Sequence, residues 1–317
     1  MKLIDLVRQA EQQLQDAGVA FGHGTDNAWD EAAWIVLWAL GLPLDTDLEA
    51  DLDVVAADAA GAADETRAAT GQARAAISEA DMAKVHQLVQ QRIATRKPFA
   101  YLAREAWLQG VPFYVDERAI VPRSLIAELL ADGSIDVLLR PDTQRVLDLC
   151  TGNGSLAVLA ALAWPDVQVD AADISPDALA VARINVDRYG LQQRIRLLES
   201  DGLAACNGGP YDLIVCNPPY VNAASMAALP AEYRAEPGLA LAGGADGMDF
   251  VRRLLAQAAQ YLAEGGVLVL EIGHERAHFE AAFAHLNPVW LDTSAGSDQV
   301  LLLTREALLH HAAEPAA

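Results

Sequence analysis

Long apolar runs are missing from these 317 residues. The nearest, Ile35 to Leu44, is broken by Gly41 and Pro43, well short of the ~20 apolar residues a membrane-spanning helix needs, so no membrane association is expected. A secretory leader is not expected either. Met1 to Gln15 carries Asp5, Arg8 and Glu11 in a helical pattern instead of an uncharged apolar stretch. Cysteine is scarce: Cys150, Cys206 and Cys216 form no CxxC pair, which points to reduced thiols in a cytoplasmic protein. Positive charge is short as well, with 22 Lys and Arg against 44 Asp and Glu and a net charge of -22. Such a surface repels nucleic acid, so no direct DNA binding is expected, and it would steer a basic protein towards itself. Aromatics make up only 6% while hydrophobic residues reach 53%, so the core must be largely aliphatic.

What is present falls into segments. Residues 1–104 read as a small helical N-terminal domain. Asn27 or Asp26 caps a helix through Trp29, Trp34, Ile35 and Trp38, stopped near Gly41 and Pro43. Residues 50–76 are an Ala/Asp-rich stretch with little to bury, read as a mobile insert. Ser78 to Asp81 resembles a capping box opening the next helix. Residues 105–122 alternate as a connecting β-hairpin, and Ser124 is placed to cap a helix through Leu130. Over 123–306 strands and helices then alternate, giving an α/β class with a mostly parallel sheet. Strands are expected at Arg145–Leu149, Val167–Asp173, Ile195–Glu199, Tyr211–Cys216 and Gly266–Ile272, with a terminal antiparallel hairpin at Val289–Thr293 and Gln299–Thr304. Residues 307–317, with His310 and His311, read as a disordered tail.

Asp148-Leu149-Cys150-Thr151-Gly152-Asn153-Gly154 closes the first of these strands, and Ser155 opens an apolar helix. Gly152 to Ala157 alone matches a GxGxxA dinucleotide loop, and Asp173 stands where a ribose ligand belongs for either of two cofactor classes. Asp148 tips the balance, because a carboxylate beside the loop suits a cationic amino acid moiety and opposes a pyrophosphate. Ser200-Asp201, after the third strand, offers a carboxylate for an adenine amino group.

Asn217-Pro218-Pro219-Tyr220 follows the apolar strand Tyr211–Cys216, at the strand end where open α/β sheets hold ligands. The prolines remove two backbone donors and fix an extended turn. A rigid rim of amide and carbonyl oxygens remains beside an aromatic ring, suited to gripping both hydrogens of a planar NH2. Asn-Pro-Pro-Tyr is the signature of methyltransferases acting on amide or exocyclic amino nitrogens.

Motif and order together resemble the N5-glutamine methyltransferase family. That resemblance implies a Rossmann-like domain using S-adenosyl-L-methionine, with a seven-stranded sheet ending in the antiparallel hairpin, behind the helical domain. One branch of the family modifies peptide-chain release factors, another ribosomal protein L3. Val121-Pro122-Arg123-Ser124-Leu125 and Asp148-Leu149-Cys150-Thr151-Gly152 look like the L3 branch, since the release-factor branch carries an acidic segment after Pro-Arg. The resemblance implies Thr151, Gly152, Gly154, Asp173, Asp201 and Asn217 at the cofactor, together with Asp148 from the reading above. It implies Asn217, Pro218, Pro219 and Tyr220 at the reacting glutamine. Glu236-Pro237 and Gly244-Ala245-Asp246-Gly247 match the segment after the catalytic turn, and Arg123 and Glu236 are candidate substrate contacts. Adenine-N6 nucleic-acid methylation shares the catalytic turn, but no basic stripe accompanies it here. His274-Glu275-Arg276-Ala277-His278 fits HExxH, yet no third ligand is near it, and solvent-facing helix residues with no metal are expected.

Overall fold

The computed structural model describes residues 2–49 and 77–313, and the insert expected at 50–76 lies outside the described residues. Two compact units divide the chain: Met1–Ala103 with Pro230–Ala235, and Arg104–Leu229 with Glu236–Ala317.

The first unit is helical. Helix α1 (Leu3–Asp16) buries Leu3, Leu6, Val7, Ala10 and Leu14, the three-to-four spacing of an apolar stripe. Helix α2 (Ala28–Leu40) is capped as expected, Asn27 accepting from the Asp30 amide, and it stops at Gly41 with φ 69°. Helix α3 (Glu79–Thr95) opens on the Ser78–Asp81 capping box, and the short α4 (Phe99–Ala103) follows. The Trp34 and Phe99 rings meet edge to face, centroids 5.0 Å apart. At the centre lies Arg92, with none of its surface exposed. Its Nε donates to Glu31 (2.7 Å), Nη2 to the Ala20 carbonyl (2.8 Å) and Nη1 to Glu232 (3.4 Å). Sequence reading did not place Pro230–Ala235 in this unit; Glu232, also approached by Arg96 at 3.3 Å, binds that segment here.

In the second unit, β1 (Ala106–Leu108) and β2 (Val111–Phe113) form the expected hairpin, followed by α5 (Ile126–Ala131). The main strands are β3 (Arg145–Leu149), β4 (Gln168–Asp173), β5 (Ile195–Glu199), β6 (Tyr211–Cys216), β7 (Leu262–Glu271), β8 (Val289–Thr293) and β9 (Gly296–Thr304). They make one seven-stranded sheet in the order β5-β4-β3-β6-β7-β9-β8. Pairs from β5 through β7 are parallel, and β9 is antiparallel to both β7 and β8. Helices α6 (Ser155–Ala163), α7 (Pro176–Arg188), α8 (Ala223–Ala228), α9 (Asp249–Ala258), α10 (Arg276–Ala282) and α11 (Arg305–Ala313) complete the unit. Alternating strand side chains feed two aliphatic clusters: Val146, Val169 and Leu213 join one, Leu147, Leu149 and Ile214 the other. Strand order reverses between β3 and β6, which opens a crevice at their carboxyl ends.

Two expectations are corrected. The tail is helical to Ala313, with the His311 ring stacked on His285 at 4.7 Å. Strand β7 begins at Leu262, four residues ahead of the expected Gly266, because Tyr211 pairs with Leu262 across a register shift.

Candidate active site

The crevice holds a cavity of about 230 Å³, lined by residues from the carboxyl ends of β3, β4 and β6 and from the loop after β5. Gly152, Asp173, Asp201 and Asn217 line it, with Cys150, Ile174 and Phe250 beside them. Asp201 is exposed and pairs with Arg253 at 3.1 Å, a surface contact weak enough to yield to a ligand. At Gly202 (φ 57°) a Cβ would meet nothing within 4 Å, so that side stands open.

The loop amides decide between cofactor classes. Gly152 N donates to Asp173 Oδ2 (2.9 Å) and Ser155 N to Asn153 Oδ1 (3.2 Å). Thr151 N donates to the Ala172 carbonyl (3.0 Å) and Gly154 N to the Thr151 carbonyl (2.9 Å). A pyrophosphate would need those donors free and no carboxylate among them. Those four amides are committed within the chain, so the GxGxxA match has no dinucleotide geometry behind it.

Asp148, expected near the cofactor, is hydrogen-bonded within the loop and is not among the residues lining the cavity. It alternates with Leu147 and Leu149 along β3, so it turns to the face that packs on α6. Its Oδ2 accepts from Thr151 Oγ1 (2.5 Å) and from the Ala157 amide (2.9 Å), while Oδ1 is buried without a partner. Thr151 and Gly154 are likewise not among the residues lining the cavity. A Cβ on Gly154 (φ 80°) would stand 3.0 Å from Ala182 Cβ, so glycine there lets α7 approach.

Burial pushes the Asp148 carboxyl up to about 7, against 3.8 ordinarily. Between those values the folded chain keeps a proton that the unfolded chain has released, so stability falls as pH rises through that window. Asp148→Asn cannot ionise. Its urea midpoint is expected to gain on the wild type between about pH 4 and 7; a difference that stays flat with pH would count against this assignment.

Asn217 follows directly on β6, half-buried at the cavity edge, and no described residue hydrogen-bonds its side chain. Pro219 lines the cavity beside it, and Pro218 is buried. The Tyr220 phenol turns inward, held far above its ordinary range by burial and by the charge of Glu271. Glycines grip this residue. A Cβ on Gly243 would meet Tyr220 Cα at 2.7 Å, one on Gly247 the Tyr220 carbonyl at 2.2 Å, and one on Gly273 the ring at 2.5 Å. Sequence reading assigned those glycines no role, although Gly244 to Gly247 stood out as a segment.

Arg123 and Glu236 find each other. Arg123 donates through Nη1 (2.6 Å) and Nη2 (2.7 Å), and Glu236 also accepts from the Val121 amide (2.9 Å). Glu236 is buried with both oxygens engaged, and it braces the 121–124 turn. Glu271 was missed altogether: it accepts from Ser124 Oγ (2.6 Å) and the Leu125 amide (2.9 Å), with the Tyr220 hydroxyl at 3.4 Å. Ser124 contributes to the start of α5 by accepting from the Ile126 amide at 3.3 Å. In the HExxH segment, α10 begins only at Arg276, Glu275 accepts from Asn222 at 2.6 Å, and both histidines are exposed.

The methyltransferase small domain family matches residues 129–231. Among solved structures, the ribosomal protein L11 methylase of Lactobacillus delbrueckii subsp. bulgaricus covers 58% of this chain and 79% of its own, at 23% identity and TM-score 0.40. A Pyrococcus furiosus methyltransferase covers 68% and 97%, at 20% identity and TM-score 0.44; both are distant likenesses of fold. Sequence relatives are much nearer. The ribosomal protein uL3 glutamine methyltransferase of Bordetella pertussis is 55% identical over 96% of both chains. Its namesake in Burkholderia pseudomallei is 52% identical over 94% of this chain and 93% of its own. That of Neisseria meningitidis serogroup B is 47% identical over 96% and 93%. Likeness of that degree runs through the helical unit as well as the catalytic one, and it makes the chain a member of the ribosomal protein uL3 glutamine methyltransferase family.

Proposed function

We infer that this chain transfers a methyl group from S-adenosyl-L-methionine to the side-chain N5 of a glutamine in ribosomal protein L3 (uL3), in the cytoplasm. The observation that carries the reading is Asn217: an uncommitted carboxamide at the end of β6, on the rim of the cavity that Gly152, Asp173 and Asp201 also line. Gly152, Asp173 and Asp201 would hold that cofactor. When bound, it supplies an electrophilic methyl carbon and a neutral thioether leaving group.

The chain's own residues do the rest. An amide nitrogen is a poor nucleophile because its lone pair is delocalised into the carbonyl. The Asn217 side-chain oxygen and the Pro218 carbonyl accept the two N–H hydrogens and raise electron density on nitrogen. Their placement favours a pyramidal nitrogen over a planar one, so the grip tightens as the bond forms. Tyr220 packs on the carboxamide plane and limits its rotation. Neither acceptor is a strong base, and none is needed, since the proton leaves to water once the nitrogen is alkylated. With a net charge of -22 the surface favours a basic protein over a nucleic acid. Among the described residues no helix is long and apolar enough to cross a membrane.

Radiolabelled cofactor offered with uL3, a peptide-chain release factor and an adenine-containing oligonucleotide is expected to label uL3, at a glutamine. Label on the release factor or the oligonucleotide, with uL3 blank, would overturn the reading.

A further inference from the structure

Glu271 ends β7 beside β6, 3% exposed, with burial raising its carboxyl above the ordinary range. A strand packed this deeply needs no carboxylate, and an apolar residue would avoid the cost of burying one. The side chain joins two pieces of the site. Oε2 is taken by the Ser124 hydroxyl (2.6 Å) and the Leu125 amide (2.9 Å), and Oε1 faces the Tyr220 hydroxyl (3.4 Å). Tyr220 is otherwise fixed at its backbone by Gly243 and Gly247 and along one ring edge by Gly273. The hydroxyl end has one hydrogen-bond partner among the described residues, Glu271. Burial keeps the phenol protonated, so it donates and the carboxylate accepts.

We propose that Glu271 is a positioning residue for methyl transfer: it anchors the Tyr220 hydroxyl to the Ser124–Leu125 turn and so sets the plane of the ring that packs on the glutamine carboxamide. This rests on residues 217–220 being the carboxamide slot. Glu271 touches neither substrate nor cofactor in this scheme, and its effect passes through the ring.

A double-mutant cycle on kcat/KM for uL3 tests it, with cofactor affinity by calorimetry and thermal midpoint as companions. Glu271→Ala is expected to lower kcat/KM about 30-fold while cofactor affinity stays within about threefold, because the lesion is on the substrate side. In a Tyr220→Phe background the same change should cost less than about threefold, since residues acting as a unit are not additive. Additive losses, or cofactor affinity falling in parallel, would overturn the proposal. Should Glu271→Ala fold poorly, Glu271→Gln takes its place, with the Tyr220 ring carbon bearing the hydroxyl followed by 13C NMR. That resonance should shift in Glu271→Gln, and an unmoved one sinks the proposal even if uL3 proves not to be the substrate. Absence of uL3 labelling by the wild type, by contrast, would refute the substrate reading alone.

Discussion

Asn217→Ala is expected to lower kcat for uL3 methylation by about 10²–10³-fold, the scale seen when one preorganised polar group is removed from a developing charge. The substitution deletes one of two acceptors that grip the nucleophile and leaves the Pro218 carbonyl in place. Cofactor affinity should change far less. Asn217 is one of many residues lining the cavity, and the carboxylates of Asp173 and Asp201 remain. A fall in kcat with KM for uL3 nearly unchanged would mean the grip strengthens mainly in the transition state. Single-turnover kinetics at saturating cofactor is the measurement. Full activity in Asn217→Ala would remove the mechanistic basis of the whole assignment.

The second large effect lies in the helical unit. Arg92→Ala should destabilise that unit by about 3–5 kcal/mol, because it strands carboxylates at a buried site. Glu31 and Glu232 are each 2% exposed and both face the Arg92 guanidinium. Burial alone already raises the Glu31 carboxyl, and Arg92 works against that rise. Glu232 ends below its ordinary range: backbone amides, Arg96 and Arg92 together outweigh its burial. Urea unfolding followed by tryptophan fluorescence reads the effect directly, since Trp29, Trp34 and Trp38 all sit on α2. A loss below about 1 kcal/mol, the range of an exposed ion pair, would mean that the charges are not buried as described.

Much of this was legible in the chain because the signals were local. β3, β5 and β6 begin and end where their apolar runs do. Asn27 and Ser78 cap the helices they precede. Asp173, Asp201 and Asn217 reach one cavity because each stands at or just past the carboxyl end of a parallel strand. What escaped depends on neighbours distant in sequence. Glu271 reads as the penultimate residue of an apolar strand, and nothing near it announces Ser124 or Tyr220. Gly243 and Gly273 look like ordinary loop glycines until the Tyr220 chain is laid against them. Asp148 stands at the right spacing to the glycines, but its hydrogen bonds to Thr151 and the Ala157 amide could not be read from that spacing. The Arg123–Glu236 pair closes over a separation of 113 residues, which no local pattern encodes.

One covalent detail bears on anyone who shortens this protein. The helical unit is assembled from two stretches of chain, and its buried arginine draws one of its counter-ions from the second. A fragment ending at Ala103 would keep Arg92 and Arg96 but forfeit Glu232, trading a neutralised interior for an excess cation. Expression of the helices alone should therefore yield a weakened fold, and a graft of residues 230–235 is the addition that would restore its charge balance.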